Sequence, residues 1–536
     1  MPVLSAIANS WSAYLILALY LASMVVISII SRRRATSLKS FYLSNRGIGG
    51  WMSAFAYGTT YFSAVVFIGY AGRFGMSMGL AAFWIGVANA GIGALLAWIV
   101  LAKRTRRMTI NLNTSTMPEF FEKRYENKKI KLFSSIVIFV LLIPYSTSVY
   151  QGLGYIIESV FGIPFTLCVV IMAIITALYL FAGGYFAEAL SDFVQGIIMV
   201  IGVALMLVFI FAAEKVSGSQ GINLLSNSGY GFFPTYNSAT GKLIDSPGFN
   251  LIIMILLTSF GIWSLPQAIH KFHTIKSNAA IKRGTIVSAV FALIIGGGAY
   301  LNGGLARLFF PDGAPSGNTD LVVTGMFDLA NFNPALLGLI GVLVLSASMS
   351  TLAALSLSSA STVSIDVYKG YIKPKASDDR VKALMRVLCI VFILISALLA
   401  ILRIDAIVTL MSLSWGTIAG CFIGPYVYGL YSKKVTSKAA LTSMIAGLVI
   451  TFTLVLVFGI GESPKGASLA EVFKKGVSRA PLIGVIAMIS SMIITPVASA
   501  FTQKPSEKLI KKAFNMSGGC DEDDLYEEDE FEDADD

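Results

Sequence analysis

Charge is scarce along this chain in a patterned way. Stretches of roughly 18 or more residues recur with few or no charges in them, and a run of that length reads as a helix long enough to cross a bilayer. Thirteen are placed, near 12–31, 50–72, 80–101, 132–158, 163–181, 189–213, 250–270, 284–305, 334–362, 385–402, 405–430, 439–458 and 480–501. Inside hydrocarbon every backbone N–H and C=O must find a partner within the protein, and helices of this length do so. The expectation is an all-α polytopic membrane protein. Composition agrees: 56% of the 536 residues are hydrophobic and only 13% charged, against about 25% charged in a soluble domain.

The positive charges then set an orientation. With Met1 outside, the segments left on the cytoplasmic side (32–46, 103–131, 271–283, 369–386, 433–438 and 504–512) hold 31 of the 40 Lys and Arg. That asymmetry is the positive-inside pattern, and it predicts an outside N-terminus and a cytoplasmic C-terminus. The net charge of +10 therefore reads as topology, not as a nucleic-acid signal. The first segment has no basic stretch before it, so it is expected to be a retained span. Cys168, Cys389, Cys421 and Cys520 show neither disulfide nor metal-ligand spacing, and no transition-metal site is expected.

Several segments are unlike plain lipid-facing helices. In the ninth, Ser346 to Ser364 carries ten Ser or Thr among nineteen residues and no charge. Small hydroxylated residues let helices approach closely, and they also offer oxygen to a hard cation. Ala347, Ser350 and Thr351 fall at i, i+3 and i+4 on one helix face, so two hydroxyls and a carbonyl could aim at one point. Tight packing and half of a sodium cage both fit. The second segment is interrupted by Gly58, Gly69 and Gly72, with Thr59, Thr60, Tyr61 and Ser63 at mid-depth. Contiguous glycines and hydroxyls there mark a helix that breaks and exposes carbonyls where it lines a cavity; a glycine-rich packing helix is the plainer reading. The fourth carries Pro144, Tyr145 and a polar belt to Gln151. The sixth opens with Glu188 and Asp192, and an intramembrane carboxylate is by default a functional hypothesis, beside a capping or helix-pairing role. The seventh ends in GIWSLPQAIHKFH, with Trp263 and Gln267 flanking Pro266; His270 and His273 are expected at the interface.

Outside the spans, Thr116-Met117-Pro118-Glu119 reads as the start of a short interfacial helix, and 214–248 as an irregular external loop. From Asp521 on, twelve of sixteen residues are acidic, which predicts a disordered tail; an electrostatic brake on the basic cytoplasmic face is a further reading. No nucleophile–base pair, metal-ligand cluster or phosphate-cradling loop appears in the cytoplasmic segments, which argues against an enzyme or an ATP-driven pump and for secondary transport.

Four stretches, in order, resemble the sodium/solute symporter family, which includes bacterial sodium/proline and sodium/galactose transporters. They are GGWMSAFAYGTTYFSAVVFIGYAG, PEFFEKRY, AGGYFAEALSDFVQ and LSASMSTLAALSLSSASTVSIDVYK, and the likeness extends to about residue 510. The resemblance implies an inverted repeat of five plus five helices (the LeuT-type fold), with core repeats near 50–213 and 250–430 and a broken first helix in each. It divides the chain into a transporter domain, 1–510, and a tail, 511–536. By position it implies a sodium site of the carbonyls of Thr59, Phe62 and Ala347 and the hydroxyls of Ser350 and Thr351, with Asp192 as a carboxylate on the ion route. Some members bind a second sodium with two further serines where this chain has Ala353 and Ala354, so one sodium per cycle is expected. The proline branch has an aspartate at the place of Tyr61 and aromatics at those of Val65, Thr258 and Ile262. The galactose branch has a glutamine at that of Val66. These departures argue against proline and against a sugar, whereas Tyr145 matches the proline branch.

The reading that results is a sodium-coupled importer of a small polar solute in the plasma membrane, with Na⁺ and the solute as partners and no oligomer required. Solute would meet Tyr61, Ser63, Tyr145, Trp263 and Gln267, a set with hydroxyls, an amide and aromatics but no buried Lys or Arg, which favours an amino acid or a monocarboxylate. Two alternatives stay open: a proton-coupled transporter of the same fold, with Asp192 or Glu188 titrating, and a transporter-like sensor signalling through its tail.

Overall fold

The computed structural model describes residues 11–32, 37–238 and 240–515. The acidic run from Asp521 lies outside them. Among the described residues the chain is helical, apart from loops and a single β-bridge. Eleven helices among the described residues are long and apolar enough to cross a membrane. The two helices most enclosed by protein are Pro334–Ile372 and Ile407–Tyr431, whereas Trp11–Ser31 and Ser437–Glu462 lie at the rim. Rim helices turn apolar side chains outward, among them Ile29, Leu394, Leu398, Val457 and Ile460. In water such rows would be a liability, and against lipid they are the expected surface of a multi-pass membrane protein.

Three of the thirteen expected spans are not single crossing helices: the second, the fifth, and the seventh, 250–270, which breaks at Leu265. The second, 50–72, is divided: Gly50–Tyr61 is helical, Phe62 is extended (φ −110°, ψ 117°), and helix resumes at Val65. Helical backbone then runs on to Asn111, with a turn at Gly79, whose φ of +61° a side chain would resist. The fifth, 163–181, is the front of a 48-residue helix, Phe165–Ala212, that bends at Gly184 (φ 58°, ψ −152°). There the chain packs so closely on Phe41 that a Cβ would clash. The expected external loop also holds a helix, Ser219–Asn227.

Both breaks have local causes. At the first, the Val66 and Phe67 N–H groups donate to Ser63 O at 2.9 and 3.3 Å. Ser63 Oγ accepts from Val65 N at 3.3 Å, so Ser63 acts as the cap of a new helix. The second break follows Pro247–Gly261 and a 3₁₀ turn, Ile262–Ser264; Leu265 is extended (φ −77°, ψ 124°) and Pro266–Thr274 is helical again. Pro266 has no N–H and disfavours helical backbone in the residue before it. The two broken helices are laced together at one end: Ile48 N donates to Thr274 O at 3.2 Å, and Lys276 N to Ile48 O at 3.0 Å.

The short helix predicted at Thr116 is Met117–Tyr125, with Thr116 Oγ1 accepting from Glu119 N at 3.1 Å. An interfacial helix would turn its charges to water and headgroups. Arg124 is instead fully buried and donates to Gly429 O at 2.8 Å and Ser432 O at 2.7 Å.

Glycines set how closely these helices meet. A Cβ on Gly75 would run into the Gly303 backbone, and one on Gly303 into Ala71. Overpacking of this kind costs about 1–3 kcal/mol or more where backbone cannot yield. Gly75→Val is therefore expected to lower the midpoint of thermal aggregation, read by size-exclusion chromatography of heated detergent extracts. Gly461→Ala, with open space around the added carbon, should leave it unchanged.

Candidate functional site

At the first break the last turn of Gly50–Tyr61 meets the hydroxyl-rich stretch of Pro334–Ile372. Ser350 Oγ donates to Thr59 Oγ1 at 2.8 Å. Thr351 Oγ1 lies 3.2 Å from Thr59 O and 3.1 Å from Ala347 O. Thr59, Phe62, Ala347, Ser350 and Thr351 are all fully buried. Phe62, at the break itself, has its carbonyl outside the helical ladder, because Val66 N turns to Ser63 instead. Four of the five expected residues are thus joined by hydrogen bonds, and the fifth is on the adjoining extended backbone. All the oxygens are neutral and hard. A hydroxyl can rotate its proton aside and present a lone pair, so the set suits a small monovalent cation and offers nothing to a soft metal.

Asp192 faces this cluster from the helix Gly184–Ala212, with Ser350 as its hydroxyl neighbour. Lys271 was assigned to the cytoplasmic loop. The structure instead buries Lys271 completely, within Pro266–Thr274. Its Nζ lies 2.5 Å from Glu188 Oε1, 3.2 Å from Asp192 Oδ2, and 5.1 Å from the centre of the Tyr185 ring. Glu188 Oε2 and Asp192 Oδ1 have no hydrogen-bond partner among the described residues. Two carboxylates against one ammonium leave one excess negative charge beside the neutral oxygens when all three are ionised. One signal in sequence pointed to it: two acids a turn apart inside a span need a buried cation. Lys271 lies one turn beyond Gln267. The two histidines also depart from expectation. His270 is buried with ring centres 4.3 Å from Tyr42 and 4.6 Å from Tyr185, and His273 Nδ1 is 3.1 Å from Ser115 O.

Of the expected solute residues, Tyr61 and Tyr145 are brought together through a third aromatic. The ring of Trp415 lies 6.0 Å from Tyr61 and 5.9 Å from Tyr145. Tyr61 also stacks on Phe62 at 4.5 Å, and its hydroxyl donates to Thr258 O at 2.9 Å. Ser63 is buried at the break, and Gln267 sits in the first turn after Pro266. Trp263 turns elsewhere, its indole N–H donating to Ile92 O at 3.0 Å. Tyr145 Oη, Trp415 Nε1, Gln151 and both polar atoms of Gln267 are buried without a hydrogen-bond partner among the described residues. Buried polar groups are rarely left so, and a small polar solute could satisfy them. Gln151 was visible in the sequence, but only as part of a polar belt, and Trp415 stands in an apolar stretch with nothing local to tie it to Tyr61 or Tyr145.

Removing one partner of a buried ion cluster strands the others, at a cost of about 3–5 kcal/mol. Lys271→Met is expected to lower thermal stability sharply, whereas Lys271→Met with Glu188→Gln and Asp192→Asn should recover most of it, read as melting temperature of the purified protein.

The chain matches the Sodium:solute symporter family over residues 41–447. It is 25% identical over 515 residues to the osmoregulated proline transporter OpuE of Bacillus subtilis (strain 168), covering 92% of this chain and 98% of that protein. It is 26% identical over 507 residues to a sodium/proline symporter of Staphylococcus aureus (strain JH9), covering 92% and 94%. Its fold is that of a Na⁺-coupled sialic acid symporter solved in a substrate-bound, outward-open state, with a TM-score of 0.74 at 18% identity over 93% of this chain and 99% of that one. The family match takes in both broken helices and the hydroxyl-rich stretch, and the chain belongs to the sodium:solute symporter family, as a multi-pass membrane protein.

Proposed function

We propose that the protein imports a small polar organic solute, driven by sodium and working by alternating access. The observation that carries this reading is the junction of Thr59 with Ser350 and Thr351, where a helix break meets neighbouring hydroxyls at 2.8 and 3.2 Å. A sodium ion held by Thr59, Phe62, Ala347, Ser350 and Thr351 would join two helices at a point where they meet through exchangeable hydrogen bonds. The excess negative charge of the Glu188–Lys271–Asp192 cluster would favour the cation's approach without a direct bond. Solute would bind beside Tyr61, Ser63, Tyr145, Trp415 and Gln267, with Trp263 at the margin, where both breaks lie close to the buried aromatics. Discontinuous helices at mid-membrane are where such folds hold substrate and ion. One sodium per cycle fits the absence of hydroxyls at Ala353 and Ala354.

In this reading the broken helices head two inverted repeats, 50–213 and 250–430, in thirteen crossing segments, with the N-terminus outside, the C-terminus inside and the plasma membrane as the site of action. An amino acid is the favoured solute class and a monocarboxylate the next, since the relatives at 25% and 26% identity are proline transporters. Tyr61, Val65, Thr258 and Ile262, which replace the proline branch's residues, argue for an amino acid other than proline.

The test is uptake of a radiolabelled panel of amino acids and monocarboxylates into proteoliposomes. Accumulation of one solute above its external concentration is expected only under an inward sodium gradient. Equal accumulation driven by a pH gradient in sodium-free choline buffer would overturn sodium coupling.

A further inference from the structure

A groove on the rim of the protein runs up to a half-buried arginine. Its two sides are the front part of the bent helix Phe165–Ala212 and the helix Asp378–Ile401. Every lining side chain is apolar, and the volume is about 550 Å³. Ala173 and Ala397 are buried at its base, while Ile174, Leu178, Leu394 and Leu398 stand exposed beside them. Arg386, Ile390, Ile393, Ala397 and Ile401 recur every three or four positions, which puts Arg386 on the groove's face, one turn before Ile390. The Arg386 guanidinium carbon lies 5.2 Å from the centre of the Phe181 ring, itself part of the groove, and 5.1 Å from that of Phe41. Among the described residues its Nε is enclosed without a hydrogen-bond partner, and no carboxylate pairs the guanidinium. The acids of its own helix are engaged elsewhere: Asp378 Oδ1 is 2.6 Å from Lys369 Nζ, and Asp379 Oδ1 is 3.1 Å from Lys382 Nζ.

We propose that this groove binds one anionic phospholipid, with an acyl chain between the two helices and the phosphate on Arg386. The length fits. Arg386 to Leu398 spans about 18 Å along the helix, slightly more than one leaflet's half of a hydrocarbon core about 30 Å thick. The chemistry fits as well. A guanidinium presents a fixed fork of N–H donors that matches phosphate oxygens, and Phe41 and Phe181 hold it by their ring faces, which leaves its edge for an anion. Charge then selects the lipid, because a zwitterionic headgroup carries its own cation beside the phosphate and a net-anionic one does not. Basic side chains between membrane helices at headgroup level are where anionic lipids bind. The seated lipid bears on Phe181, three residues before the bend at Gly184, where the backbone packs on Phe41. It therefore braces, from the membrane side, the bend that leads to Glu188 and Asp192. The inference does not depend on which solute or ion is carried.

The experiment is native mass spectrometry of the full chain, delipidated in detergent and titrated with phosphatidylglycerol or phosphatidylcholine of identical acyl chains. The first phosphatidylglycerol is expected to bind about fivefold more tightly than the first phosphatidylcholine, the preference that one basic residue confers. Arg386→Gln should erase that difference by weakening phosphatidylglycerol alone. Ala177→Phe, which fills the groove and keeps Arg386, should weaken both lipids; melting temperatures of the two variants establish that each is folded. Equal affinity of the wild type for the two lipids, a preference retained in Arg386→Gln, or binding unaffected by Ala177→Phe would overturn the proposal. A dimer that forms as lipid is withdrawn and is lost in Ala177→Phe would assign the groove to a second copy of the chain and overturn it equally.

Discussion

A helix that stops in the middle of a membrane leaves carbonyls with no water to turn to, and the rest of this structure is arranged around that constraint. At Phe62 and at Leu265 the chain goes extended, and the first break is answered by side chains on another helix. Thr59 O is met by Thr351 Oγ1, and Thr59 Oγ1 by Ser350 Oγ. The hydroxyl-rich helix has to be almost wholly enclosed to serve in this way, which explains why the least lipid-like sequence sits at the centre. Hydroxyls that satisfy carbonyls by rotating a proton can also release them to a cation at small cost. The same feature that makes the break tolerable makes it a candidate ion site.

Charge follows a similar logic. Two carboxylates within a span are expensive unless paired, and Lys271 supplies the pair from Pro266–Thr274, the second half of the second broken helix. Glu188 and Asp192 thereby tie the helix Gly184–Ala212 to Pro266–Thr274, while Asp192 also faces Ser350. The three elements that would move relative to one another in an alternating-access cycle thus meet at one buried cluster. Movement of any one would change the solvation of the other two, which would couple the hydroxyl-rich helix to the broken helix carrying Gln267.

Much of the local structure was legible in the sequence. Contiguous Gly58 to Ser63 announced the first break, and Thr116 with Pro118 and Glu119 the short capped helix; the second break was implied only by the family resemblance, since Pro266 reads in the sequence as lying near the end of one span. The i, i+3, i+4 placement of Ala347, Ser350 and Thr351 put three candidate ligands on one face, and the structure joins them to Thr59. What could not be read depended on partners far away in the chain. Lys271 looks like a loop lysine until Glu188 and Asp192 are seen to surround it. His270 looks interfacial until Tyr42 and Tyr185 close over it. Trp415 looks like packing in an apolar helix until Tyr61 and Tyr145 are found on either side of it. The number of separate crossing helices was also beyond composition, because turns at Gly79 and Gly184 keep helical backbone on both sides.

The claim on which the account turns is that Ser350 and Thr351 hold sodium together with Thr59. Direct binding of ²²Na⁺ to the purified, monodisperse protein tests it without any knowledge of the solute. The account predicts saturable binding in the wild type and at least a roughly tenfold weaker affinity, about 1.4 kcal/mol, in Ser350→Ala/Thr351→Ala. Sodium affinity unchanged in a folded double variant would contradict it.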